Sequence, residues 1–314
     1  MIDTTFITAA NNIVGPSSIL TDEPMSRHTT FRVGGPADYF ISPSSPEEVR
    51  GLIRLCKEAD EPYFVCGNGS NLLVSDEGFR GVVIHIGKAL GGIEVNGETI
   101  TAGAGAVLAH IAGVAAEHEL TGFEFAGGIP GTLGGACVMN AGAYGGEMRQ
   151  VLTSALVLNE QNDLETLSNE QLCLGYRTSI FASRPLIALS ATIQLEKGDP
   201  AEIAAKAEEF RESRSSKQPL DLPSAGSTFK RPEGYFAGKL IMDAGLRGYR
   251  VGGASVSTKH CGFVVNDAGA TASDIIRLIC DVRAKVFEQF GVMLEPEVRF
   301  LGLPRGQEPW LTQR

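Results

Sequence analysis

Two glycine-rich segments of this chain have the composition to hold a bulky ligand against bare backbone. The shorter, GNGSN, runs from Gly67 to Asn71, and the longer, GGIPGTLGGACVMNAGAYGG, runs from Gly127 to Gly146 with eight glycines in twenty residues. Glycine loses more conformational freedom on folding than other residues, so this density indicates that left-handed turns or accessible N–H groups are needed. A strand followed by a glycine-rich turn is a recurring way to bind a pyrophosphate, and we predict a nucleotide cofactor.

Neither segment matches a standard phosphate-binding sequence. The shorter loop lacks the Gly-Lys-Ser/Thr ending of a Walker motif and the third glycine of the dinucleotide G-x-G-x-x-G pattern. Taken alone, a short loop of glycine and asparagine is more often a turn without a ligand. The longer run favours a ligand, because the backbone polar groups of so many glycines need partners. A flat ring system and a diphosphate together would satisfy both segments.

Composition excludes several classes of partner. The chain has 314 residues, of which 43% are hydrophobic and 20% charged, and its net charge is −10. This balance argues against nucleic acid or an anionic membrane as the main partner, although it allows a local basic pocket for a phosphorylated small molecule. The N-terminal sequence lacks the basic start of a secretory signal, and no apolar stretch approaches the roughly 20 residues that span a bilayer. We therefore expect a cytoplasmic protein.

The cysteines suggest neither disulfides nor a metal site. The six, at positions 56, 66, 137, 173, 261 and 280, form no C-x-x-C pair and have no histidine at ligand spacing. Cysteines in such apolar surroundings are usually reduced core residues. We predict no metal and a reducing compartment.

The elements that must position the glycine segments are readable from local patterns. A capped, proline-started helix opens at Ser45, and Asn96-Gly97 predicts a tight hairpin. Thr271 and Asp274 form a capping-box-like start to a long amphipathic helix. The remaining predicted elements are strands at 62–66, 82–86, 151–158, 187–195 and 297–301, and helices at 106–118 and 200–213.

These elements predict an α+β fold with mixed sheets rather than a regular βαβ alternation. The composition changes near Lys197-Gly198-Asp199-Pro200, and a polar stretch follows the helix predicted there. We place a domain boundary at this point, with one domain at 1–198 and a second at 199–314.

Six sequence blocks, in order, resemble the bacterial UDP-N-acetylenolpyruvoylglucosamine reductase family, usually called MurB. They span roughly residues 26–302, and together they are far more specific than any single block. The blocks are TTFRVGGPA from Thr29, GNGSNLLV from Gly67, AGGIPGTLGG from Ala126, YRTSIF from Tyr176, AGSTFK from Ala225 and EPEVRF from Glu295.

The resemblance implies the fold and the cofactor. The family has the two-subdomain FAD-binding fold of the vanillyl-alcohol-oxidase type, also called PCMH-type, in residues 1–198, and a C-terminal α+β substrate-binding domain in 199–314. It implies that FAD is bound without a covalent link; Cys66 stands beside the first loop but is interpreted as a strand residue. The implied cofactor contacts are Gly67, Asn68, Gly69, Ser70, Asn71, Gly127, Gly128, Ile129, Pro130, Gly131, Gly134, Gly135, Asn140 and Gly142.

The resemblance also implies the reaction. NADPH would reduce FAD, and the reduced flavin would transfer hydride to C3 of UDP-N-acetylglucosamine enolpyruvate, giving UDP-N-acetylmuramate for peptidoglycan. The charge that develops at C2 needs a fixed cation and then a proton. By their motif positions, Arg177 would supply the cation, Ser227 the proton, and Glu297 would polarise the enolate. Glu295 is the rival of Glu297.

Other implied roles are less specific to one residue. Lys217, Lys230 and Arg231 would contact the UDP pyrophosphate as charge-assisted donors. His260 and Asn266 could be structural or could bind substrate, and oligomerisation is not required. No insertion between Leu195 and Pro232 is long enough to carry the tyrosine-bearing loop of some members, so the compact form is implied. The alternatives are an FAD-dependent oxidase of the same superfamily and a non-catalytic nucleotide-binding protein.

Overall fold

The computed structural model of this chain describes residues 4–302 as a mixture of helices and short strands. The helices are α1 Thr4–Val14, α2 Pro46–Glu58, α3 Leu108–Glu117, α4 Leu133–Met139, α5 Pro200–Lys217, α6 Ala237–Asp243 and α7 Ala272–Phe290. The first nine strands are β1 Ile19–Pro24, β2 Pro36–Ile41, β3 Tyr63–Cys66, β4 Leu72–Val74, β5 Phe79–His85, β6 Ile93–Asn96, β7 Thr99–Gly103, β8 Leu120–Thr121 and β9 Gly142–Ala143. The others are β10 Gly146–Glu147, β11 Leu152–Leu158, β12 Leu164–Ser168, β13 Ile187–Gln194, β14 Glu196–Lys197, β15 Arg250–Val251, β16 Ala254–Val256, β17 Val264–Asn266 and β18 Arg299–Leu301.

Two compact units divide the described residues, and each consists of separate stretches of chain. The first unit holds residues 4–21, 39–68 and 81–214, and the second holds 22–38, 69–80 and 215–302. The first glycine loop is therefore divided between them after Asn68, and α5 passes from the first unit to the second after Arg214. The boundary between residues 198 and 199 divides a proposed FAD-binding domain from a proposed substrate-binding domain, and it remains a prediction.

Two sheets lie largely in the first unit, with parts of β1, β2 and β5 belonging to the second. A five-stranded antiparallel sheet has the order β12-β11-β13-β7-β6, and strands β1, β2, β5 and β3 form a four-stranded sheet in that order, with β3 parallel to β5. One apolar cluster packs beneath the five-stranded sheet around fully buried Ile111 and Leu133, from α3 and α4. The second glycine run surrounds α4, so this core supports it.

The second unit has a core of its own around α7. The buried face of this helix, which includes Ile275, Leu278, Ile279 and Val282, packs with strands of the antiparallel sheet β15-β16-β17. Strand β18 lies parallel to β4, with Arg299 opposite Leu72. This pairing brings residues 299–301 next to the segment that follows the first glycine loop.

Local patterns in the sequence account for most of the elements. The Ser45 hydroxyl accepts a hydrogen bond from Glu48 N at the start of α2, and the Thr271–Asp274 capping box starts α7. The hairpin at Asn96-Gly97 joins β6 to β7, with Gly97 at a φ of +61°. These predictions, and the mixed α+β class, are confirmed.

Three expectations need correction. The helix predicted at 200–213 continues to Lys217, and the late strand includes only Arg299–Leu301 of the predicted 297–301, because Glu297 is paired with a different segment. All six cysteines are free, but Cys173 is exposed rather than part of the core. It lies in a turn, with a φ of +48°.

Candidate functional site

The first glycine loop packs closely against neighbouring backbone and side chains. A Cβ built on Gly67 would lie 2.3 Å from Thr132 Oγ1, and one on Gly69 would lie 2.1 Å from the carbonyl oxygen of His28. Gly69 also has a φ of +60°. Its carbonyl oxygen accepts hydrogen bonds from the N–H groups of Thr30 and Leu72. The protein's own packing therefore requires these two glycines, whatever else the loop binds.

The last residue of this loop is bound to the segment that carries Glu297. Asn71 Nδ2 donates to the Glu297 carbonyl oxygen at 3.1 Å, and Arg299 N donates to the Asn71 carbonyl oxygen at 3.0 Å. All of these groups belong to the second unit. Asn71 is assigned from sequence as a cofactor contact, and the structure gives it a positioning role for the chain at Glu297.

The second glycine run bends around α4 and is fastened by Asn140. This asparagine is buried and left-handed, with a φ of +43°. Its Nδ2 donates to Glu147 Oε2 and to the Gly175 carbonyl oxygen, while its Oδ1 accepts from Arg149 N. These bonds give the Asn140 side chain a structural role, and its contact with a cofactor stays a prediction.

The hydrogen bond between Asn140 and Gly175 also brings Arg177 close to the second glycine run. The turn from Gly175 to Thr178 holds Arg177 at a φ of +54°, and Arg177 Nη2 donates to the Gly142 carbonyl oxygen at 3.4 Å. Ser179 Oγ donates to the Val138 carbonyl oxygen at 2.7 Å on the other side. Arg177 and the run therefore form one constellation within the first unit.

A buried carboxylate, which the sequence did not single out, precedes this run. Glu124 accepts hydrogen bonds from Thr121 Oγ1 at 2.6 Å and from Gly122 N at 3.0 Å, and Lys206 Nζ lies 3.4 Å from Glu124 Oε2. Burial by itself raises the pKa of Glu124, but these hydrogen bonds and the Lys206 charge outweigh it, so the pKa is below its ordinary value. Glu124 is thus an ionised anchor at the entrance to the second run.

Ser227 is exposed, and its backbone is held through its neighbour Thr228. Thr228 is fully buried; its N–H donates to the Gly262 carbonyl oxygen and its own carbonyl oxygen accepts from Glu297 N, both at 2.8 Å. Thr228 Oγ1 accepts from Val264 N at 2.9 Å. These bonds hold the Ser227 segment between the 260–264 and 295–297 segments, and they join two of the sequence-predicted catalytic positions by a backbone contact.

The structure distinguishes the two glutamates that compete for one role. Glu295 is exposed and forms an ion pair with Lys230, whose N–H also donates to the Glu295 carbonyl oxygen. Glu297 is half-buried, beside Asn71 and Thr228. The Glu295 carboxylate is paired beside the isolated bridge between Phe229 and Pro296, and the choice of Glu297 for the chemistry stays a prediction.

The remaining candidates of the second unit differ in their surroundings. Lys217 is exposed at the end of α5, and Arg231 lies with its guanidinium 3.9 Å from the ring centroid of exposed Phe236. His260 Nδ1 accepts from Gly262 N, and burial lowers the pKa of His260. Asn266 donates to the Phe31 carbonyl oxygen and accepts from Ala270 N. Both His260 and Asn266 therefore have structural hydrogen bonds.

The glycine segments fit a nucleotide cofactor held without a covalent bond. A Cβ on Gly135 would have Thr132 Oγ1 as its nearest neighbour at 4.0 Å, so the packing of the described residues does not require glycine there. Burial raises the pKa of the Cys66 thiol to about 12, which keeps the thiol protonated and a poor nucleophile at neutral pH. Among residues 4–302, no group of three His, Cys, Asp or Glu side chains is arranged to hold a metal ion. No helix of the same range has the length and apolarity to cross a membrane.

Comparison with known proteins agrees with this arrangement. Residues 37–168 match the family model for an FAD binding domain, and residues 218–301 match that of UDP-N-acetylenolpyruvoylglucosamine reductase, C-terminal domain. The first match includes both glycine segments, and the second includes Ser227, Lys230, Arg231 and Glu297.

Individual relatives are similar over nearly the whole chain. UDP-N-acetylenolpyruvoylglucosamine reductase of Agathobacter rectalis is 54% identical, covering 95% of this chain and 98% of the relative, and that of Lachnoclostridium phytofermentans is 53% identical over 93% and 95%. The crystal structure of the Thermus caldophilus enzyme aligns with a TM-score of 0.77 at 33% identity, covering 90% of this chain and 98% of the other. The chain therefore belongs to the UDP-N-acetylenolpyruvoylglucosamine reductase family of FAD-dependent oxidoreductases.

Proposed function

We propose that this protein reduces UDP-N-acetylglucosamine enolpyruvate to UDP-N-acetylmuramate, a precursor of peptidoglycan, with NADPH as the source of electrons. When bound, FAD carries two electrons from NADPH to the carbon–carbon double bond of the enolpyruvyl group. The observation that carries the proposal is the backbone pairing of Thr228 with Glu297, at 2.8 Å. It holds an exposed serine and a half-buried carboxylate in adjacent segments of one unit, which supports a shared role at one substrate, since a general acid must be held in position.

Ser227 is the proposed proton donor to C2. Its side chain is exposed, whereas the neighbouring Thr228 is fully buried and has its N–H, carbonyl and hydroxyl oxygens in hydrogen bonds. Gly226, at a φ of +72°, sets the turn before it. A fixed backbone with an accessible hydroxyl suits a group that must be aligned with one carbon atom.

Arg177 and Glu297 are the proposed electrostatic partners. A guanidinium cation can pair with the substrate carboxylate through two parallel hydrogen bonds, and this pairing strengthens as charge develops in the transition state. Glu297 would polarise the enolate as an acid or through water. Lys217, Lys230 and Arg231 are proposed for the pyrophosphate; Lys230 would have to exchange its ion pair with Glu295 for the phosphate.

The test separates the two half-reactions in Ser227→Ala. We expect flavin reduction by NADPH to keep its rate, and reoxidation by the enolpyruvyl substrate to slow by about a hundred- to ten-thousandfold, the usual contribution of a general acid. Stopped-flow absorbance of the flavin measures both steps. Normal reoxidation in this variant would remove Ser227 from the mechanism.

Two further measurements control this test. Ser224→Ala, three residues upstream, should reoxidise like the wild type because only the Ser224 backbone pairs with Val265. Reoxidation of the wild type is compared with the enolpyruvyl substrate and with O2 as acceptors. Fast reaction with O2 and slow reaction with the UDP-sugar would favour an oxidase, and a protein that binds no FAD would favour a non-catalytic role.

A further inference from the structure

One face of α5 lies against the second glycine run although this helix buries little apolar surface. Within α5 only Ile203 is a buried residue. Lys206, Phe210 and Arg214 follow it at spacings of three, four and four residues, which places them on one side of the helix. We call Lys206, Phe210 and Arg214 the brace face.

Each member of the brace face contacts a residue in or beside the run. Lys206 Nζ lies 3.4 Å from the buried carboxylate of Glu124, three residues before Gly127. The Phe210 ring stacks on the Tyr144 ring with centroids 4.6 Å apart and an angle of 7° between the planes. Tyr144 has a φ of +53°, a conformation that bulky side chains rarely adopt and that neighbours must hold.

Arg214 contacts both ends of the run. Its guanidinium lies 5.9 Å from the centroid of the Tyr144 ring, and a Cβ on Gly128 would lie 2.7 Å from Arg214 Nε. This Nε is buried and has no hydrogen-bond partner among the described residues. A buried N–H without a partner is unfavourable. The packing of the Arg214 side chain against Gly128 and Tyr144 must therefore offset this cost.

We propose that the brace face of α5 positions the second glycine run for the flavin, with Phe210 and Arg214 as positioning residues that set how tightly FAD is retained. The inference rests on the proposed contact between this run and FAD. The brace face connects residues 124, 128 and 144, which lie before, within and after the cofactor positions 127–142, and so limits how far the run can open. None of its members has to touch the flavin for this effect.

The experiment measures the rate of FAD release from the full-length holoenzyme, by the fluorescence of free flavin, together with the temperature of thermal unfolding. We expect Phe210→Ala and Arg214→Gln to release FAD roughly three- to tenfold faster, the range that loss of an aromatic stack or cation contact gives. Phe210→Tyr should retain FAD like the wild type because it keeps the stacked ring. Glu209→Gln, an exposed position of α5 off this face, is the matched control.

The outcomes separate positioning from general stability. Wild-type release rates in Phe210→Ala and Arg214→Gln would overturn the inference, even if both variants unfold at lower temperature. Faster release that Phe210→Tyr also shows would overturn the stacking argument. Gly135→Leu serves as a separate probe of the run itself: normal FAD retention in that variant would remove the run from the flavin site, a failure of the proposed site rather than of the brace face alone.

Discussion

The two glycine segments look alike in sequence, but they differ in whether the protein's own packing accounts for every glycine: it does so at Gly142 and Gly146 of the second run, and not at Gly135. In the first loop, side chains at Gly67 and Gly69 would overlap Thr132 and the His28 backbone at 2.3 and 2.1 Å. In the second run, a Cβ at Gly135 meets no atom closer than 4.0 Å among the described residues outside the backbone of its own helix. The first loop is therefore limited by the protein's own packing, whereas the second contains at least one glycine whose small size that packing does not explain.

This difference shows which substitutions can report on ligand binding. A residue that destabilises the protein when changed says little about a cofactor, because folding and binding fail together. A glycine with open space above its Cα separates the two effects. Gly135 is such a position, since it lies inside α4 with an ordinary helical conformation.

The largest expected effect is on the folding of the first loop. Gly69→Ala should lower the free energy of unfolding by about 2–5 kcal/mol, because alanine is strained at a φ of +60° and its Cβ would overlap the His28 carbonyl oxygen. Chemical denaturation of the purified protein measures this loss.

Gly97→Ala provides the matched comparison. Gly97 has almost the same φ, +61°, but apart from its chain neighbours no described residue would have an atom within 4 Å of a Cβ there. This variant should lose only about 1–2 kcal/mol, the cost of the left-handed conformation alone. Equal losses in the two variants would contradict the claim that packing, and not only backbone conformation, requires Gly69.

The second expected effect is on FAD binding without loss of folding. Gly135→Leu should raise the stability of the flavin-free protein by up to about 1 kcal/mol, because leucine favours a helix more than glycine does. We expect it to weaken FAD binding by about tenfold or more, as a side chain would occupy space against the proposed ligand. Titration of the flavin-free protein with FAD, followed by flavin fluorescence, measures this change. Unchanged affinity would place the flavin elsewhere.

The smallest expected effect is a pH-dependent loss of stability at the entrance to the second run. Because the folded protein lowers the pKa of Glu124 below 4.5, this group stabilises the fold above that pH, and the contribution disappears as the pH falls through the folded-state pKa. At pH 7 the free energy of unfolding of Glu124→Gln should therefore be about 1–2 kcal/mol lower than that of the wild type, and the variant should unfold at a lower temperature.

The difference in stability between Glu124→Gln and the wild type should become smaller when unfolding is repeated below pH 4. Glu209→Gln, at an exposed position, should match the wild type at both pH values. A deficit in Glu124→Gln that does not change with pH would show that the carboxylate charge is not what anchors this segment.

Features that depend on neighbours in sequence were predictable. The Ser45 cap, the Thr271–Asp274 capping box and the Asn96-Gly97 hairpin each involve a few consecutive residues whose side chains compete for nearby backbone groups. The order of the glycine segments and the later motif blocks was equally readable, and it led to the family that the comparisons show.

Contacts between distant residues were not predictable in this way. The hydrogen bond from Asn71 to Glu297 joins residues 226 positions apart, and the anchoring of Thr228 by Gly262 and Val264 depends on a sheet that forms only in the folded unit. The sequence predicted a helix at 200–213 and left Arg214 in the polar stretch after it, so the brace face was not predicted as one unit. Lys206, Phe210 and Arg214 are spaced as on one side of a helix, but this spacing does not predict that they contact Glu124, Tyr144 and Gly128.

By itself, the sequence determined the helices and hairpin with local signals, the α+β class, and the family with its FAD binding domain. Only the tertiary structure decided that Glu295 is paired with Lys230 while Glu297 lies beside Asn71 and Thr228, and that Gly69 is enclosed while Gly135 is open. The reason is that a residue's type limits which bonds it can form. Which of those bonds it makes depends on the atoms that folding brings within a few ångströms.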